Sequence, residues 1–150
     1  MTLPDPEHIY HWRRLDARLT TSGQPSEAEL AEIAELGVRC VINIAPHAHA
    51  KALADERGTV TRLGMRYVYI PVDFKNPTEM DFIQFSDAMA ATQAVPVHVH
   101  CAANYRVSAF LYRYRRDVLG MSVAELAADL FEIWQPDAIW TEFLRRETAA

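Results

Sequence analysis

Short β-rich runs alternate with capped, amphipathic helical segments along this chain, and that alternation constrains its architecture more than any other feature. Val38–Ala45, Arg66–Val72 and Val95–His100 read as strands. Before the first of them, Ser26 with Glu29 forms a capping box. Ala28, Leu30, Ala31, Ile33, Ala34 and Leu36 supply an apolar helical face, and Gly37 ends it. Pro77 starts a helix that runs to about Gln93, with Phe82, Phe85 and Met89 on one side. Helical pattern returns over Arg106–Leu119, with Gly120 as the stop. Ser122 caps another helix, with Glu125 in the capping-box position, and Pro136 opens a last one. Residues 8–20 suggest one or two short peripheral strands, Ser22-Gly23-Gln24-Pro25 a turn, and 46–64 a loop carrying a short helix over 48–57. This order predicts an α/β fold: a central, mainly parallel sheet with helices on its faces, built as one domain over residues 1–150. In such sheets the reactive site lies beyond the carboxyl ends of the strands.

Cys101 stands at that end of the most strongly marked strand, where the chain turns into a helix. A loop entering a helix N-terminus points backbone N–H groups at a common centre and, with the helix dipole, makes an anion site. A cysteine in such a place is favoured as the nucleophilic thiolate. The segment runs Cys101-Ala102-Ala103-Asn104-Tyr105-Arg106-Val107-Ser108. The amides of Ala102 to Val107 can surround an oxyanion, Arg106 can grip it with two parallel hydrogen bonds, and Ser108 can hydrogen-bond the thiolate. These are the parts of phosphoryl transfer through a cysteinyl-phosphate. The other cysteine, Cys40, lies within Val-Arg-Cys-Val-Ile-Asn-Ile and reads as a small core residue.

His-Cys followed closely by Arg and a helix resembles the signature loop of the cysteine-dependent protein tyrosine and dual-specificity phosphatases. Upstream, Leu19-Thr-Thr-Ser22-Gly23-Gln24-Pro25 and Leu36-Gly37-Val-Arg-Cys-Val41-Ile42-Asn43 resemble a bacterial group, the phosphatase-like domain of beta-lactamase-hydrolase-like proteins. Tyr69-Ile70-Pro71-Val72-Asp73 is similar to the segment before that family's general-acid loop. The resemblance implies a phosphotyrosine protein phosphatase-like fold and phosphomonoester hydrolysis. The implied substrate is a phosphorylated protein (on tyrosine, serine or threonine) or a small phosphorylated molecule. It also implies Asp73 as general acid and His100 as a brace for the loop. One departure weighs against efficient turnover. The family has five residues between Cys and Arg, whereas here four intervene and Val107 falls in the arginine's register. One residue is about 100° of helix rotation, so Arg106 reaches the phosphate only if the loop is rebuilt shorter. The loop also lacks the usual glycine, and Asn104 is the residue best able to adopt a left-handed conformation in its place.

Other residues carry weaker signals. Asp73-Phe-Lys-Asn-Pro77 reads as a mobile loop, although Asp73 also suits a turn. Asp81 falls in a helical first turn, where acids are favoured anyway. His98 reads as a packed strand histidine, and His47 and His49 as loop residues without a matching ligand cluster, so no metal is expected. No other cofactor is expected. The run Arg113, Arg115, Arg116 reads as a solvated face. Phe131, Trp134, Trp140 and Phe143 have helical spacing that suits packing among the last helices.

The net charge of -5 gives no overall attraction to nucleic acid or an anionic membrane, so local groups must supply positive potential for any anion. No signal peptide or membrane span is recognised and two cysteines make no disulfide framework, so a cytoplasmic protein is expected. Two other functions stay open. A phosphate-binding pseudophosphatase is suggested by the displaced arginine. A rhodanese-like sulfurtransferase with a Cys101 persulfide is suggested by the loop length, although the flanking segments lack its Gly-His-Ile region.

Overall fold

The computed structural model describes residues 3–147. Five strands form one sheet in the order β1-β2-β5-β3-β4. They are β1 (Arg13–Arg14), β2 (Leu19–Ser22), β3 (Cys40–Asn43), β4 (Arg66–Tyr69) and β5 (Val97–His100). All neighbours run parallel except β1, which pairs antiparallel with β2. The helices are α1 (Glu27–Glu35), α2 (Glu56–Arg62), α3 (Glu79–Ala91), α4 (Tyr105–Asp117), α5 (Val123–Ile133) and α6 (Ala138–Arg145). The fold is α/β, a mostly parallel sheet with helices on its faces.

Side chains alternate across β5, as strand geometry requires. Val97 and Val99 enter an apolar core with Ile42, Phe82, Phe85, Phe110, Trp140 and Phe143, between the sheet and α3, α4 and α6. A second cluster, including Leu30, Ile33, Val41 and Val60, lies under α1 and α2. Each fully buried side chain of this size stabilises the fold by about 1.5–3 kcal/mol. His98 and His100 face away from Val97 and Val99 and are also fully buried.

The capping box of α1 forms through Ser26 and Glu29. Helix α3 starts one residue past Thr78, whose capping box uses Asp81, so that acid is committed to the helix end. At α5 the Ser122 hydroxyl accepts from the Glu125 amide.

Four expectations need correction. Strand β2 is not peripheral: it is buried throughout and lies between β1 and β5. The short helix expected over 48–57 forms instead at Glu56–Arg62, because the Asp55 carboxylate accepts the Gly58 amide and fixes the helix start there. Arg113 is not solvated. It is wholly buried between the rings of Phe82 and Phe143 and pairs with both carboxylate oxygens of Glu79 at 2.9 Å. Arg115 and Arg116 are engaged by Asp129 and Asp117. Phe131 is 53% exposed and packs no core, unlike Trp140 and Phe143. Among the described residues, no helix is long and apolar enough to cross a membrane.

Candidate active site

Strand β5 lies between β2 and β3 and delivers Cys101 to the carboxyl edge of the sheet. The loop from Cys101 turns into α4 through Asn104, whose φ of 67° is left-handed. Asparagine tolerates this conformation better than most residues, which lets the loop close without a glycine. The Asn104 amide does not cap the helix. Its Nδ2 donates to the His11 carbonyl (2.9 Å) and to Thr21 Oγ1 (3.0 Å). The other five described helices each have a side-chain cap, from Ser26, Asp55, Thr78, Ser122 or Asp137. The first amides of α4 are left without one, and uncapped amides at a helix start suit an anion. The Val107 side chain is buried in the core and the Tyr105 ring stacks on Trp134 at 4.6 Å, so both can serve an anion only through their backbone. Cys101 itself has no exposed surface, so a substrate reaches it only if neighbouring groups part.

Arg106 is not turned to solvent, despite the short loop. It is 8% exposed, and its Nη1 donates to the Val72 carbonyl at 2.9 Å. Its guanidinium lies over the Phe74 ring. The Nε of Arg106 is buried and makes no hydrogen bond within the protein. An unpaired buried donor on a guanidinium is costly and is satisfied by an oxyanion in the bidentate geometry arginine favours.

The loop is braced from several distant segments. Gln24 N–H donates to the Ala102 carbonyl at 3.0 Å. Gly23 is required beside it, since a Cβ there would sit 2.7 Å from the Ala102 oxygen. The ring of His11 bonds the Ala103 carbonyl at 2.7 Å, and His11 holds a left-handed φ of 53° to do so. His100 bonds the Cys101 carbonyl through Nδ1 (3.1 Å) and Glu56 through Nε2 (2.7 Å). Both partners are acceptors, so His100 fills both bonds only in its doubly protonated form, with a positive charge next to the cysteine. Glu56 is buried at the first turn of α2 and also accepts from Gln24 Nε2 at 2.7 Å. Burial pushes its carboxyl up. The hydrogen bond and charge of His100, with help from Gln24 and Tyr67, outweigh this and hold it below its ordinary value. Burial and the Glu56 charge in turn push the Tyr67 phenol well up.

Asp73 is exposed, and its Oδ1 accepts the Lys75 amide at 2.9 Å in a turn. The loop around it is pinned rather than loose. Val72 is bound by Arg106, and the Phe74 carbonyl accepts Trp140 Nε1 at 2.8 Å. Ser108 does not bond the cysteine. Its hydroxyl donates to the Tyr105 carbonyl and accepts from Trp134 Nε1, because one turn into α4 it faces α5. His98 is a packed strand residue. Ser22 Oγ gives its proton to the Gly23 carbonyl and so accepts from His98 Nε2, leaving Nδ1 to accept from Thr20. Complete burial and the charge of His100 push its pKa well down, so it stays neutral. Cys40 is a buried core thiol pushed up by burial, as the sequence suggests.

With this geometry in place, comparisons with known proteins are informative. A family model described as "DSP-PTPase phosphatase fused to NAD+ Kinase" matches residues 7–143. The chain belongs to this DSP-PTPase phosphatase family. It is 31% identical over 96 residues to a beta-lactamase hydrolase-like protein of Agrobacterium fabrum, covering 62% of this chain and 22% of that one. The chain thus spans about a fifth of the length of the curated relatives it matches. The crystal structure of a DUF442 phosphatase-type protein from Shewanella putrefaciens CN-32 superposes with a TM-score of 0.81 at 34% identity, covering 92% of this chain and 91% of that one. TpbA of P. aeruginosa, solved in complex with pTyr, shares the fold at 18% identity. Its TM-score is 0.73, with 97% of this chain and 88% of that one covered.

One support of the loop escapes a reading of the sequence. Glu56 sits outside any recognisable motif, and only the fold brings it to His100. Gly23 and Gln24 stand in the Ser-Gly-Gln-Pro turn, whose composition a plain turn also explains. Their tie to Ala102 appears only in three dimensions.

Proposed function

We propose that this chain hydrolyses phosphomonoesters through a cysteinyl-phosphate intermediate. The Cys101 thiolate attacks phosphorus and the ester P–O bond breaks. Asp73 gives a proton to the departing oxygen. Water then attacks the phosphorus, the S–P bond breaks, and inorganic phosphate leaves with the thiolate restored. The amides of Ala102 to Val107 and the Arg106 guanidinium hold the phosphoryl oxygens, and His100 fixes the loop. The observation that carries this reading is Arg106: buried, anchored through Nη1 to Val72, and with Nε free to grip an oxyanion. Substrates are phosphorylated proteins or small phosphorylated molecules.

Hydrolysis of a generic aryl phosphate across pH ~5 to 7.5 tests the proposal. Cys101→Ser should abolish turnover, and Arg106→Ala should lower it by about 10²–10³-fold, the scale for losing an oxyanion donor. No turnover by folded, reduced wild type would overturn the reading. A second reading, a phosphate-binding module without turnover, is favoured by the closed surface over Cys101 and by the Asp73 carboxylate being held in a turn. Tight inorganic-phosphate binding without turnover would support it.

A further inference from the structure

The chain has two lysines, Lys51 and Lys75. Both stand on loops that follow parallel strands at the carboxyl edge of the sheet, the edge that carries Cys101: Lys51 between β3 and α2, Lys75 between β4 and α3. Both are exposed. Among the described residues neither forms an ion pair, whereas Arg13, Arg14, Arg113, Arg115, Arg116 and Arg146 each pair with a carboxylate. The acids that follow Lys51 in the chain are already engaged. Asp55 caps α2, and Glu56 takes His100 and Gln24.

Of the two lysines, Lys51 is the one joined to the loop after Cys101 by an unbroken line of contacts. Its Nζ lies over the Tyr10 ring, 5.0 Å from the centroid. Tyr10 is 44% exposed, yet its position is fixed. Its carbonyl accepts the Gly23 amide at 2.7 Å. Its ring stacks on His11 at 4.0 Å, and His11 bonds the Ala103 carbonyl. Ring and loop meet at Gly23: the point a Cβ would occupy there is 2.7 Å from Tyr10 Cδ2, 2.7 Å from the Ala102 oxygen and 3.2 Å from Ala103 Cα. An ammonium over an aromatic face keeps its charge, because the ring offers a quadrupole and not a counter-ion. On a chain of net charge -5, an unneutralised cation held beside an anion-binding loop supplies local positive potential that the whole molecule lacks.

We infer that Lys51 and Tyr10 form a second anion subsite beside the phosphate loop, so that the preferred substrates are phosphomonoesters carrying a further anionic group, a carboxylate or a second phosphate. The inference deepens the phosphatase reading above and rests on it for the scissile group. Lys51 is a specificity-determining residue: its ammonium takes the further anion through a charge-assisted hydrogen bond. Tyr10 sets where that ammonium stands.

Phenyl phosphate and its meta- and para-carboxylated analogues test the subsite, compared by kcat/KM on wild type, Lys51→Gln, Tyr10→Leu and Lys75→Gln. The ratio between substrates is the readout, since general damage to the loop lowers all three rates together. Wild type should favour a carboxylated substrate by about fivefold at low salt, the scale of one exposed ion pair. The preference should shrink as salt is added. Lys51→Gln should abolish it, Tyr10→Leu should reduce it, and Lys75→Gln should keep it. No preference in wild type, or one that survives Lys51→Gln, would overturn the subsite and leave the phosphatase reading intact. Calorimetric titration of Cys101→Ser with the same compounds, with and without Lys51→Gln, reads the preference without turnover. A preference there that depends on Lys51, beside an inactive wild type, would uphold the subsite and overturn the catalytic reading. Its absence there, beside an inactive wild type, would overturn both.

Discussion

Glu56→Ala should be among the most damaging single substitutions in this protein. The carboxylate is 1% exposed and takes hydrogen bonds from His100 Nε2 and Gln24 Nε2, both at 2.7 Å. Truncation leaves the His100 charge and two donors without the carboxylate that satisfied them. Removing one member of a buried ion pair costs about 3–5 kcal/mol. For a chain of 150 residues each kcal/mol moves Tm by about 2–4 °C, so Glu56→Ala should melt roughly 6–20 °C below wild type. Glu56→Gln keeps the volume and one acceptor but loses the charge, and should cost about 1.5–3 kcal/mol. Thermal melts by circular dichroism and urea midpoints at pH 7 measure both, given coincident transitions by two probes. The order of the variants matters as much as the size of the loss. A Glu56→Ala melt within about 2 °C of wild type, or a Glu56→Gln variant less stable than Glu56→Ala, would refute the claim that this carboxylate neutralises a buried imidazolium.

Two further predictions follow from the same region. Gly23→Ala places a methyl group 2.7 Å from the Ala102 carbonyl, and should weaken phosphate binding more than it lowers Tm; calorimetric titration with inorganic phosphate, set beside a melt, reads the difference. His98 stays neutral when folded while its unfolded form takes a proton below pH ~6.5, so stability is full above that pH and is lost as pH falls, by about 2 kcal/mol at pH 5. Urea midpoints from pH 7.5 to 5 should show this slope in wild type and a flatter one in His98→Gln.

Most of the framework is legible in the sequence because local rules and the global fold agree. The capping box at Ser26, the left-handed Gly37 and the buried face of Phe82, Phe85 and Met89 are each set by residues a few positions apart. The left-handed Asn104 is legible for the same reason. What fails is set by distant partners. The helix expected over 48–57 has good local composition, but the Asp55 cap starts the helix at Glu56. Arg113 looks like part of a solvated basic run until α3 presents Glu79 and Phe82 to it. Ser108 has the right spacing for the cysteine, yet Trp134, the residue that follows α5, captures its hydroxyl.

The same division explains how a loop one residue shorter than its family's pattern can keep its shape. Fewer residues between Cys101 and Arg106 mean fewer internal hydrogen bonds to define the loop, and no glycine relieves the turn. The definition comes instead from outside: Gln24 on the Ala102 carbonyl, His11 on the Ala103 carbonyl, His100 on the Cys101 carbonyl, and Asn104 on His11 and Thr21. Three successive carbonyls, from Cys101 to Ala103, are therefore held by side chains or by a neighbouring turn. A planar peptide whose carbonyl is held in this way has the direction of its amide fixed too. An apolar layer beneath the loop could bury as much surface, but it could not choose the direction of a peptide group. The buried polar pair of His100 and Glu56 is stabilising only as a complete unit, and a fully satisfied network of this kind fixes one arrangement where apolar packing would accept several. The burial of Arg106 fits the same logic, since its Nη1 bond to Val72 sets the guanidinium plane before any anion arrives. Preorganisation of this kind costs stability in the empty protein and returns it only when an oxyanion satisfies the waiting donors.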